Sequence, residues 1–128
     1  MPRKKALVLT DHELRLMDVL WEKARATVAE VTAELPPPPL AYNTVLSTLR
    51  TLESKGYVAH DQGAKAYTYR PLVARDDAAK SAVAHVVARF FRNSPNALAV
   101  TLLDDVPLGA KEREQIRALL EAADESTR

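Results

Sequence analysis

Apolar residues fall at helical spacing near the start of the chain, where Leu14, Met17, Leu20 and Trp21 recur at steps of three, three and one and so share one stripe of a helix. Thr10-Asp11-His12-Glu13 marks the start of that helix as a capping box, because the Thr hydroxyl and the Glu carboxylate can each accept from a backbone N–H left free in the first turn. The pattern runs out near Lys23. Thr27-Val28-Ala29-Glu30 repeats the start signal and opens a short helix with Val28, Val31 and Leu35 inward. Pro36 to Pro39 cannot continue it, since proline lacks the amide proton and clashes with the preceding turn; the four together predict a stiff spacer. A third helix is expected over Ala41 to Lys55, with Gly56 as its left-handed C-terminal cap and Lys55 at the negative end of the helix dipole.

Beyond Gly56 the period shortens. Tyr57 to Asp61 and Ala66 to Arg70 have the aromatic, alternating character of strands, and Gln62-Gly63 supplies turn residues between them. The two strands predict a β-hairpin, with Tyr67 and Tyr69 facing the core. Helix, helix, helix, hairpin is the order of a winged helix-turn-helix. From about Arg75 the texture becomes alanine-rich, with Val83, Val87, Phe90 and Phe91 on a broad apolar face of a helix ending near Asn93. Ser94-Pro95 is an N-cap followed by proline at the first helical position, and a short helix through Leu98, Leu102 and Leu103 follows. Asp104 to Gly109 reads as a loop, and a last helix over Ala110 to Ala123 carries Ile116, Leu119 and Leu120 on its stripe. The expected fold is mostly α with a small β-hairpin: residues 1–73 form a winged helix-turn-helix and residues 74–128 a helical dimerisation region.

Composition changes this picture in two ways. With two Phe and one Trp in 128 residues, large side chains are few, so a second chain is expected to complete part of the buried surface. The net charge of +1 also hides a division: residues 1–75 carry eleven Lys and Arg against eight Asp and Glu, and residues 76–128 carry seven against nine. A basic half followed by an acidic half suggests that the first meets phosphate. The chain has no cysteine, which removes disulfides and thiolate metal sites. No stretch approaches the ~20 apolar residues of a membrane span, and the run behind the basic Met1-Pro2-Arg3-Lys4-Lys5 start is too short for a signal peptide, so a cytoplasmic location without membrane insertion is expected.

The chemistry concentrates on the third helix. At ~100° per residue, Val45, Leu49 and Leu52 fall on one side and Asn43, Ser47, Arg50 and Ser54 on the other. The outer row contains no carboxylate, and Glu53, the helix's only acid, lies well off its centre. Asn pairs with adenine edges, Arg with guanine edges and Ser with either base or phosphate, so these are residue types that read a major groove. Lys65 and Arg70 of the hairpin, with His60 adding partial charge, are expected against phosphates, where they position the protein without reading sequence. Arg3, Lys4 and Lys5 extend the same electrostatic footprint as a basic arm, and Lys55 is counted with the DNA-binding side chains.

Other chemistry finds no support in the pattern. His12, His60 and His85 stand far apart without an acid at ligand spacing, Asp76-Asp77 and Asp104-Asp105 suit helix ends and solvation, and Ser47 and Ser54 lack a nucleophile context. Neither an enzyme nor a cofactor or metal site is expected. A winged helix can instead serve as a protein-docking module without an operator, and that alternative would show itself by absent or salt-insensitive DNA binding.

Several of these residues together resemble a known family. Leu9-Thr10-Asp11-His12-Glu13, Met17, Leu20-Trp21, Thr27-Val28 and Val31, then Ala41-Tyr42-Asn43-Thr44-Val45, Thr48-Leu49, Leu52, Lys55-Gly56 and Ala66-Tyr67 to Tyr69-Arg70-Pro71, look like the BlaI/MecI/CopY repressors, also called the penicillinase repressor family. Val87 to Phe91, Ser94-Pro95, Leu98, Leu102-Leu103-Asp104 and the helix from Glu112 to Leu120 are similar in spacing to that family's dimerisation region. The resemblance implies a homodimeric repressor on a palindromic operator of double-stranded DNA. It assigns Asn43, Thr44, Leu46, Ser47 and Arg50 to the recognition-helix positions. It also implies release through a membrane-bound sensor metallopeptidase that triggers cleavage in the dimerisation region, where Thr101-Leu102 stands at the place of an Asn-Phe cleavage point in antibiotic-resistance members. Thr51 departs from the family's usual Arg, and the copper-sensing branch's cysteine-rich tail is missing.

Overall fold

In the computed structural model of the chain, which describes residues 8–63 and 65–126, both predicted capping boxes are present. Glu13 Oε1 accepts from the Thr10 amide at 2.8 Å and Thr10 Oγ1 from the Glu13 amide at 3.2 Å, starting α1 (Asp11–Lys23). Thr27 and Glu30 exchange the same pair of bonds at the head of α2 (Val28–Glu34). Leu35 ends α2 in extended backbone, and the proline spacer follows. Arg15 of α1 donates to the carbonyls of Pro36 (2.6 Å) and Pro38, so a guanidinium satisfies acceptors that a proline run cannot pair with itself. Then α3 (Tyr42–Lys55) runs to Gly56, whose φ of 90° is the left-handed cap that a Cβ would strain.

The core lies among these helices: Leu16, Met17 and Leu20 of α1, Val31 of α2, and Val45, Leu49 and Leu52 of α3 are all fully buried. The expected α1 stripe is rotated. Met17 and Leu20 are inward, but Leu16 and Val19 join them, whereas Leu14 is 43% exposed and Trp21 half-buried. The helix carries apolar residues around more than one face, so periodicity alone allowed more than one orientation. Burial of Glu13 settles which one occurs, because its carboxylate meets Lys55 Nζ at 2.7 Å.

The hairpin belongs to a three-stranded antiparallel sheet. In the order β1-β3-β2, β1 (Ala26–Thr27) pairs with β3 (Tyr67–Pro71), which pairs with β2 (Val58–Gln62). Two residues are too few to show alternation, which is why β1 is not legible in the sequence. His60 lies opposite Tyr69 and Gln62 opposite Tyr67. Tyr69 is buried at 2% exposure, but Tyr67, expected beside it in the core, is 48% exposed. Both are on one face of the strand; Tyr67 sits near the tip, past the edge of the core. At the turn, a Cβ on Gly63 would stand 2.6 Å from the Ala66 carbonyl oxygen, so only glycine fits.

After the sheet come α4 (Arg75–Phe90), α5 (Pro95–Asp105) and α6 (Ala110–Ser126). Trp21 Nε1 donates to the Val73 carbonyl at 2.8 Å and Arg75 pairs with Asp18 at 2.8 Å, tying the end of the sheet and the start of α4 to α1. The chain divides into two compact units inside α4, Met1–His85 and Val86–Arg128, later than the end of the wing at residue 73. Ala78 explains the shift, since it packs against the N-terminal core. In the second unit Ser94 Oγ caps α5 by accepting from the Ala97 amide at 3.0 Å, with Pro95 at the first position. Among the described side chains of α4, α5 and α6 none is buried. No described helix is long and apolar enough to cross a membrane.

Candidate nucleic-acid interface

Burial of Val45, Leu49 and Leu52 fixes the rotation of α3, and at 3.6 residues per turn the opposite side must then face outward. Asn43, Ser47, Arg50 and Ser54 are all exposed there, as the helical spacing predicts. Ala41 provides no side-chain cap and the first turn holds no acid, so the positive end of the α3 dipole is not neutralised locally. Ser47 Oγ donates to the Thr44 carbonyl at 3.2 Å and Thr51 Oγ1 to the Ser47 carbonyl at 3.1 Å, which leaves both hydroxyl oxygens as outward acceptors. Thr44 is half-buried, and Leu46 packs against the edge of the core instead of standing on the outer row.

Glu53, the one carboxylate that would repel phosphate from α3, is held down by the wing. His60 Nδ1 lies 2.7 Å and 2.9 Å from its two oxygens, and the imidazole lies tilted against Tyr67 and Tyr69 at 4.5 Å and 5.6 Å between ring centres. His60 therefore meets a carboxylate, not a free surface. Burial pushes the Tyr69 phenol above its ordinary value of 10, and Glu53 pushes it further, while the Arg50 guanidinium opposes them. Burial likewise raises Tyr57, with Glu13 adding to it.

The expected wing residues fare differently from one another. Lys65 is exposed beside the turn and makes no ion pair among the described residues. Arg70 Nε donates to Asp61 Oδ2 at 3.0 Å across the hairpin, so its charge is partly offset. Lys55 is a correction: its ammonium is turned inward to Glu13 at 2.7 Å and to the Val8 carbonyl at 3.4 Å, because the buried carboxylate needs a counter-charge. Arg3, Lys4 and Lys5 lie outside the described residues.

Two exposed aromatics were absent from the expected set. Tyr42, at the first position of α3, and Tyr67 flank Arg50 around a concavity of about 300 Å³ that also touches Thr27 and Ala29 at the head of α2. The α3 spacing places Tyr42 beside Asn43, but nothing in the sequence brings the wing to it.

Of the expected dimerisation side chains, Val83, Phe90, Leu102, Leu119 and Leu120 are exposed, with Phe90 at 71% and Leu119 at 69%, and Val87, Phe91, Leu103 and Ile116 are half-buried. Thr101 and Leu102 sit inside α5, where Thr101 Oγ1 donates to the Ala97 carbonyl at 3.0 Å. No group of three His, Cys, Asp or Glu side chains gathers among the described residues.

Residues 9–122 match the penicillinase repressor family. A penicillinase repressor from Bacillus licheniformis is 24% identical over 119 residues, which cover 92% of this chain and 93% of that one. The solved DNA-binding domain of the repressor BlaI is 26% identical, aligns with 59% of this chain and 92% of that domain, and gives a TM-score of 0.51. A RosR complex structure covers all of both chains at 18% identity with a TM-score of 0.53, a likeness of fold.

Proposed function

Since this chain belongs to the penicillinase repressor family, we propose that it represses transcription as a homodimer, each protomer laying α3 in the major groove of a palindromic operator with the wing along the adjacent backbone. DNA-binding transcriptional repression is the function of the family, and no enzyme class attaches to it. The observation that carries the reading is the exposed row Asn43, Ser47, Arg50 and Ser54, free of carboxylate, with Glu53 held by His60. Asn43 and Arg50 bring the donor and acceptor geometry that distinguishes base pairs; Thr44 and Ser47 serve base or phosphate. Lys65 and, when released from Asp61, Arg70 supply phosphate contacts.

Dimerisation is assigned to α4–α6 because Phe90, Leu102, Leu119 and Leu120 are left in solvent by a single chain. Two-fold symmetry then requires half-sites separated by ~10 bp or a multiple of it. Release by proteolysis at Thr101–Leu102, triggered by a membrane-bound sensor metallopeptidase, would require α5 to unwind locally, because proteases favour exposed, irregular backbone.

Fluorescence anisotropy on the palindromes upstream of the chain's own gene and on scrambled duplexes tests the assignment. Arg50→Ala should lose about 1 to 3 kcal/mol of preference for the operator, while Lys65→Ala should weaken all duplexes alike and reduce the salt slope by about one. The reverse pattern refutes the roles given to the two residues.

A further inference from the structure

A cavity of about 480 Å³ opens in the first unit between α1 and the first turns of α4. Leu9, Leu14, Trp21, Tyr57, Ala79 and Ala82 form most of its wall, which is nearly all apolar. The size falls within the ~300 to 1,000 Å³ of small-molecule sites. Among the described residues, one charged group lines it. The Arg75 guanidinium lies 4.7 Å from the Trp21 ring centre and gives one terminal nitrogen to Asp18 at 2.8 Å. A guanidinium has five N–H donors in a planar fork, so Asp18 orients Arg75 without exhausting it. Leu14 explains itself here: it leaves the core stripe to become a cavity wall.

We propose that this cavity binds a small organic acid with a compact hydrocarbon body, its carboxylate on Arg75 and its body against Trp21, Leu14 and the α4 alanines. An apolar helix of a second copy fits less well, since it would take the guanidinium out of water without offering an acceptor for its remaining donors. None of the lining residues belongs to the outer row of α3, so the site stands apart from DNA reading.

Trp21 is the chain's one tryptophan and therefore an intrinsic reporter of occupancy. The full-length protein, without DNA, is titrated with adamantane-1-carboxylate and with its neutral carboxamide while tryptophan emission is followed. The expected result is a saturable change with the acid bound about tenfold more tightly than the amide, the difference between a charge-assisted and a neutral hydrogen bond. Arg75→Gln should erase that preference, and Ala79→Phe should abolish the response to both by filling the space. Should Ala79→Phe melt early, Ala82→Leu makes the same test from another wall. No saturable change in the native protein would mean that the chain itself or a second copy holds the cavity, and overturns the proposal. So does a response that survives filling, or an acid preference that survives Arg75→Gln. Because no duplex is present, these outcomes are independent of operator binding.

Discussion

Residues 10–73 bury Leu16, Leu20, Leu49, Leu52, Tyr57 and Tyr69 within one chain, whereas α4–α6 bury no described side chain and leave Phe90 and Leu119 largely in solvent. The two regions do not differ much in apolar pattern: both carry helical stripes of Leu, Val and aromatic residues. They differ in what lies opposite each stripe. In the first region three helices and a sheet enclose one another, so apolar surface meets apolar surface inside the chain. In the second, the described side chains are at most half-buried, and under the proposed dimer a second copy would cover what they leave in solvent. A periodic apolar face is thus evidence of burial but not of where burial happens.

That contrast can be broken most directly in the first region. Leu49→Ala removes a fully buried side chain and should cost roughly 2 to 5 kcal/mol, read by urea unfolding, with DNA binding lost alongside the fold. Phe90→Asp with Leu119→Asp should instead leave the N-terminal unfolding transition in place and give a monomer by sedimentation. Operator affinity should then fall about a hundredfold or more, because the two half-sites are no longer linked. A double variant that stays dimeric would remove the reading of the exposed stripes as an interface. A smaller effect sharpens the difference between core and surface cations: Lys55→Met strands the Glu13 carboxylate and should lower stability by about 2 kcal/mol, less than for a fully enclosed pair since Lys55 keeps some solvent contact. Its salt slope on DNA should match the parent's, unlike that of Lys65→Ala. Smallest, Gly56→Ala should cost about 1 kcal/mol in thermal melts, since nothing crowds a Cβ there and only the positive φ opposes it.

Residues whose role depends on neighbours along the chain were legible beforehand. Thr10, Thr27, Ser94 and Gly56 act within four residues of themselves, and each caps the helix end that the sequence assigns to it. The α3 faces were legible for the same reason: Val45, Leu49 and Leu52 determine by spacing alone which residues point away. Sequence reading failed where two apolar faces competed, as at Leu14, and where a residue's fate rests on a partner far along the chain. Lys55 and Glu13 are 42 residues apart, and nothing local says that a surface-like lysine must turn inward. Tyr67 and Tyr69 share a face by alternation, yet which of them the core reaches depends on where α1 and α2 lie against the strand.

From its amino acids alone this protein has its helix starts at Thr10, Thr27 and Ser94, the left-handed cap at Gly56, the acid-free row on α3 and a series of apolar stripes after residue 75, because caps, period and residue chemistry act over a few positions. Folding in three dimensions decided the pairing of Glu53 with His60, the inward Lys55, the third strand at Ala26–Thr27 and the cavity beside Trp21. Those features join positions remote in sequence, and charge pairing and enclosure depend on distance in space.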